Sequence, residues 1–222
     1  MKKQLGSARL IIILVALLSL VAGVLSYQIL FAEKRMEIIR TFDQARSVDA
    51  FEGKTHNGER FTETDFLGKW SIVFFGFTTC PDVCPTALSN INGMMKNIEP
   101  EYLKDTQVVM VSVDPERDTL DKLAKYVPAF NPDFIGVNAG LEETRKLTKS
   151  IGVSFFKVPG HDDPDNYLVE HTARWFVIDP LGRRYAYISP DQTPQQKDLV
   201  KTVSEDYNIL RDQAGDIHAA GR

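Results

Sequence analysis

The stretch SIVFFGFTTCPDVCP, residues 71–85, is where strand, loop and helix signals meet. Ile72, Val73, Phe74 and Phe75 are β-branched or aromatic, show no polar alternation and stop at Gly76. Such a run predicts a strand buried on both faces. Cys80 and Cys84, the only two cysteines of the chain, follow in a loop. Beyond them Leu88, Ile91, Met94, Met95 and Ile98 recur at helical spacing and predict a helix over 86–98. Pro85 suits a first helical turn, where its missing N–H costs nothing. The cysteines therefore sit at the carboxyl end of a central strand, on a loop entering a helix N-terminus. The free N–H groups and partial positive charge there stabilise thiolates. If the segment is helical, Cys-x3-Cys puts the sulfurs one turn apart on one face, able to close a disulfide or bind one metal ion. The bland readings are a stabilising disulfide or two buried thiols. A disulfide closing so small a ring removes little chain entropy and is a poor staple.

The 222 residues fit one domain plus an appendage. A net charge of −4, with no basic stripe, argues against nucleic acid. Two cysteines are too few for a disulfide scaffold. Four histidines, His56, His161, His171 and His218, leave little choice for a metal site.

Residues 1–9 form a short basic tail with Lys2, Lys3 and Arg9, and 10–32 carry no charge. That run is long enough to cross a bilayer as a helix. It exceeds the roughly 7–15 apolar residues of a signal-peptide core, and it ends in bulky groups, so a retained anchor is expected rather than a cleaved signal. Lys34, Arg35 and Arg40 balance the basic tail and leave orientation undecided. Residues 33–48 are polar and mixed in charge, reading as a helical stalk or linker. The globular domain is expected over 49–212 and a frayed tail over 213–222.

Within that domain Asn57-Gly58 marks a β-hairpin over 51–61, with His56 at its surface. Further strands are expected at 107–113, 134–137, 151–158, 173–178 and 183–187, and helices at 120–127, 141–150 and 193–210. Asp118 or Thr119 would cap the helix at 120. Asp114 reads as turn and capping chemistry, although ligands of open α/β sheets gather at such strand ends. His161 lies in an acidic loop, 159–166, and His218 in the tail, so both read as solvent-facing. His171 immediately precedes a core strand. Alone it would be an ordinary hydrogen-bonded residue; beside a cysteine pair that needs a partner it becomes a ligand candidate. Strands alternating with helices give an α/β sheet covered on both sides, with a hairpin added at its start.

Cys80-Pro81-Asp82-Val83-Cys84-Pro85, then residues 112–119 (SVDPERDT), then residues 167–172 (YLVEHT), resemble the Sco/SenC family of copper chaperones. The similarity runs from about residue 51 to about residue 210. It implies a thioredoxin-like fold on the outer, periplasmic or equivalent, side of a membrane, tethered by one transmembrane helix. It implies that Cys80, Cys84 and His171 bind one copper ion, received from a donor protein. It further implies delivery to the dinuclear copper centre of cytochrome c oxidase, in its copper-bearing subunit, or reduction of the cysteines there.

The donor chemistry agrees. Two thiolates and one imidazole suit Cu(I), or Cu(II) with a fourth weak ligand, whereas structural zinc usually takes four protein ligands. The other nitrogen of His171 should meet Glu170 or a backbone carbonyl. The main alternative is a thiol–disulfide oxidoreductase with Cys80 attacking and Cys84 resolving, although the usual redox motif spaces its cysteines by two. A peroxidase fits poorly, because Phe77 stands where a threonine is expected. A purely structural membrane module leaves these residues unexplained.

Overall fold

The structure is a computed structural model that describes residues 4–30, 35–158, 167–190 and 199–215. The chain separates into two units, residues 1–35 and 36–222. In the first, α1 (Gln4–Leu30) is a helix of 27 residues. Its segment Leu10–Tyr27 is long and apolar enough to cross a membrane.

The second unit opens with β1 (Ile39–Ser47), in the region expected to be a stalk or linker. The buried carboxylate of Asp206 accepts from the amides of Glu37, Ile38 and Ile39, the last two at 2.7 and 3.0 Å. The amides that a sheet edge leaves open are thereby satisfied. The expected hairpin forms from β2 (Glu52–Thr55) and β3 (Arg60–Thr62), with Gly58 at φ +86° in its turn. A short 3₁₀ helix, Glu63–Phe66, is capped by Thr62.

β4 (Trp70–Gly76) is buried at all seven positions. The cysteine helix α2 (Val83–Met95) begins three residues before the expected start, because Val83 and Cys84 join its first turn. After the single turn α3 (Pro100–Leu103) come β5 (Thr106–Ser112) and α4 (Leu120–Tyr126). Thr119, not Asp118, caps α4, accepting from the amide of Lys122 at 3.3 Å. The remaining elements are β6 (Ile135–Asn138), α5 (Gly140–Ile151), β7 (Phe155–Val158), β8 (Leu168–His171), β9 (Trp175–Ile178), β10 (Arg183–Ile188) and α6 (Leu199–Ala214). α6 runs into the segment expected to fray. The start expected for it, 193–198, lies outside the described residues.

The main sheet has eight strands in the order β1-β10-β9-β4-β5-β6-β2-β3. β4 pairs with β5 in parallel and with β9 antiparallel, so it lies at the centre. Buried side chains of β4, β5, β9, α2 and α6 form the core, with Trp70, Phe74, Phe75, Met110, Trp175 and Tyr207 among its largest members. The mixed sheet with its central parallel pair, helices and appended hairpin is the expected thioredoxin-like α/β fold. The hairpin of β7 and β8 also departs from expectation: the two form a separate two-stranded sheet, so His171 ends an outlying hairpin rather than leading directly into β9.

Gly76 has a steric reason to be glycine. A Cβ there would stand 2.6 Å from Phe74 Cε1 and 3.1 Å from Cys84 Sγ. Gly76→Ala should therefore destabilise the protein by about 1–3 kcal/mol, the usual cost of overpacking a tight core. The denaturant midpoint measures this; an unchanged midpoint would show that the strand end has slack.

Candidate metal centre

The loop after β4 is moored by one carboxylate. Thr78 donates to the fully buried Asp118 through its amide, at 3.1 Å, and its hydroxyl, at 2.6 Å. Ser112, the last residue of β5, donates to the same carboxylate at 2.7 Å. Asn138 at the end of β6 donates to the carbonyl of Asp118 at 2.6 Å. The ends of three neighbouring strands thus converge on Asp118, and the chain segment entering Cys80 is fixed by them. The Cys80 amide closes a tight turn onto the carbonyl of Phe77 at 3.2 Å.

Cys84, in the first turn of α2, is fully buried and packs against Gly76; Cys80 is half-buried at the surface of the loop. Both are free thiols that hydrogen-bond to one another. That bond, joined by backbone N–H groups of Cys84, Asp82 and Val83, holds the Cys80 pKa down at about 5. The same shared proton, with burial, pushes the Cys84 pKa up. Of the two sulfurs, Cys80 is thus the one that gives up its proton first, and the buried Cys84 the one that keeps it.

His171 meets this pair from the far side. Its Nε2 lies 4.0 Å from Cys84 Sγ, and its Nδ1 lies 3.1 Å from the Thr172 carbonyl. A carbonyl only accepts, so Nδ1 carries the proton and Nε2 presents its lone pair. The carbonyl, not Glu170, is thus the partner of the second nitrogen. Burial lowers the pKa of His171 and favours the neutral ring. Phe74 and Phe77 hold the ring edge-on, each centroid 6.2 Å away.

Metal bonds of about 2.3 Å to sulfur and about 2.0 Å to nitrogen, at a trigonal angle, separate the two ligand atoms by about 3.7 Å. The 4.0 Å between Cys84 and His171 is within a few tenths of an ångström of that. The three groups run Cys80 to Cys84 to His171 as a chain. Among the described residues no three metal-binding side chains of the His, Cys, Asp and Glu types yet converge on a common centre.

The other histidines lie apart. His56 is half-buried rather than a surface residue, and its Nδ1 accepts from the amide of Gly136 at 3.0 Å, tying the hairpin turn to β6. His161 and His218 lie outside the described residues. Asp114 closes the expected turn after β5, its carbonyl accepting from the amides of Arg117 and Asp118 at 3.1 and 2.9 Å, but its side chain caps no described helix. It is buried, paired with Arg117, and accepts from the hydroxyl of Tyr167 at 2.7 Å. Asp118 as the mooring of the cysteine loop was missed by the sequence reading. Its placement just past a strand end was the available signal.

Two measurements check this geometry. Alkylation of the reduced protein should be fast and confined to Cys80 at neutral pH, falling as pH drops through about 5. A midpoint near the ordinary thiol value would contradict the shared proton. Asp118→Ala leaves the Thr78 amide and two hydroxyls without their acceptor and should destabilise by about 2–4 kcal/mol, read from thermal unfolding; a change under about 0.5 kcal/mol, typical of a surface site, would contradict the mooring.

Comparison with known proteins bears on family and fold. The SCO1/SenC family model matches residues 40–205. The human mitochondrial SCO1 homolog is 37% identical over 139 residues, covering 62% of this chain and 46% of its own length. The chain thus spans about half of that relative. The crystal structure of Arabidopsis thaliana ScoI with copper bound superposes with a TM-score of 0.62 at 31% identity, covering 73% of this chain and 98% of that one. The solution structure of apo Sco1 from Thermus thermophilus gives 0.66 at 33% identity, covering 77% and 95%. A match over three quarters of the sequence, on the same fold, places this chain in the SCO1/SenC family.

Proposed function

We propose that this chain is a membrane-anchored assembly factor that binds one copper ion through Cys80 Sγ, Cys84 Sγ and His171 Nε2. It would deliver that ion to the dinuclear copper centre of cytochrome c oxidase. The observation carrying the proposal is the approach of His171 Nε2 to Cys84 Sγ, at 4.0 Å, beside a sulfur already held as thiolate. The three proposed donors come from α2, its preceding loop and an outlying hairpin, segments far apart in the sequence.

The donor set is soft and has three members, which suits copper and leaves room for a client's ligand to enter. Copper is cargo here, so an open site is an advantage: exchange proceeds one ligand at a time. A related plant protein holds copper on the same fold. The oxidase as client rests on the family resemblance. The anchor assignment rests on α1, and the outer side of the membrane on the same resemblance.

A second reading has its own support. Cys80 held as thiolate and Cys84 as thiol is the arrangement of an attacking and a resolving cysteine. Cys80 would attack a client disulfide, and Cys84, losing its proton, would close the Cys80–Cys84 bond and release the client as a dithiol. Two electrons pass to the client and the chain becomes the oxidised form, which binds no copper. The two activities are therefore alternatives in time on one pair of sulfurs.

Reduced full-length chain in detergent should take up about one Cu(I) per molecule and release about one proton with it at neutral pH, since one sulfur starts protonated. Affinity should accordingly tighten about tenfold per pH unit above pH 5. Cys80→Ser or Cys84→Ser should abolish tight uptake, and His171→Ala should weaken Cu(II) by at least about tenfold. Cu(II) uptake undiminished in His171→Ala would remove the histidine from the site.

A further inference from the structure

The hairpin that carries His171 has little core to hold it. β7 and β8 pair only with each other, and two-stranded hairpins are marginal alone. Of their described side chains, only Val169 is buried; Phe156, Lys157 and Glu170 are exposed. What ties the hairpin to the rest of the domain is a polar and aromatic cluster contributed by the segment after β5.

Tyr167, just before β8, donates its hydroxyl to Asp114 Oδ1 at 2.7 Å. The Arg117 guanidinium carbon lies 3.7 Å over the Tyr167 ring. Arg117 is itself paired with the fully buried Asp114, which fixes its orientation. The same guanidinium sits 6.0 Å from the Phe77 ring, whose edge supports His171. Lys157 of β7 pairs with Glu116 and lies 4.5 Å from the Tyr167 ring. The Tyr167–Asp114, Arg117–Tyr167 and Lys157–Glu116 contacts cross from residues 114–117 to the hairpin, and the Arg117–Phe77 contact reaches the ring beside His171.

We infer that Asp114, Arg117 and Tyr167 form a latch that seats the β7–β8 hairpin and thereby sets the distance from His171 to Cys84. They are positioning residues and touch no reacting atom. The consequence for copper rests on the reading above. Two thiolates satisfy Cu(I) without help, whereas Cu(II) depends on the imidazole. A loosened latch therefore weakens Cu(II) and spares Cu(I).

The test uses the reduced full-length chain in detergent, as wild type, Tyr167→Phe, Tyr167→Ala and Arg117→Gln. Hydrogen exchange of the metal-free protein should speed at least about tenfold over 154–158 and 168–172 in Tyr167→Ala, with β4 and β5 unchanged. That is the loss expected from one charged hydrogen bond together with one cation–π contact. Tyr167→Phe keeps the ring and loses the hydroxyl, and Arg117→Gln removes the cation; both should fall between. Cu(II) affinity should drop about tenfold in Tyr167→Ala while Cu(I) affinity stays within about threefold. Hairpin exchange equal to wild type in all three variants overturns the latch, as does equal weakening of both copper states. Faster hairpin exchange in a chain whose wild type takes up no copper would sustain the latch and overturn the copper reading instead.

Discussion

Everything at this site depends on where one sulfur atom is put. Cys84 Sγ is buried between the end of the central strand, where Gly76 leaves room for it, and the ring of His171, which two phenylalanines hold edge-on. A buried thiol without a partner would keep its proton and remain inert. Here it has two partners. Its hydrogen bond to Cys80 makes that sulfur a thiolate, and its proximity to His171 provides a nitrogen of matching softness. The same interaction explains the opposite displacement of the two thiol pKa values and the ease with which a metal ion could replace the shared proton.

The surrounding structure divides into a rigid half and an adjustable half. The cysteines lie on the loop from β4 and in the first turn of α2; β4 is buried at every position, α2 buries one face, and the buried Asp118 braces the ends of β4, β5 and β6. The histidine rests on a hairpin outside the main sheet, held mainly by surface-side contacts. A carrier of metal ions benefits from that asymmetry. On the proposed reading, two ligands fixed in place would give a defined site, while a third on a lightly held element would let the coordination number change during transfer. Asp206 plays a comparable bracing role at the opposite edge, holding the chain as it enters β1.

The central features were legible because their signals are local. An unbroken apolar run, a glycine stop and a proline after the second cysteine define strand, loop and helix without reference to distant residues. Asn57-Gly58 did the same for the hairpin. What escaped notice depends on contacts between distant positions. Residues 39–47 look like a linker because their strand is an edge strand with mostly exposed side chains, and it becomes a strand only by pairing with β10. His56 looks like a surface turn residue until β6 offers it an amide. Asp118 looks like a helix cap, but the hydroxyl and amide of Thr78, forty residues away, claim its carboxylate. His171 could be named from sequence only with the cysteine pair in mind, and its tautomer could not be named at all.

In the proposed centre two sulfurs and one imidazole nitrogen share a single copper ion. X-ray absorption at the copper edge of the copper-loaded chain reads that set directly. The predicted coordination shell holds two sulfur atoms at about 2.3 Å and one imidazole nitrogen at about 2.0 Å, and the nitrogen contribution disappears in His171→Ala. A shell of sulfur alone, or one of nitrogen and oxygen without sulfur, in the wild-type protein would contradict it.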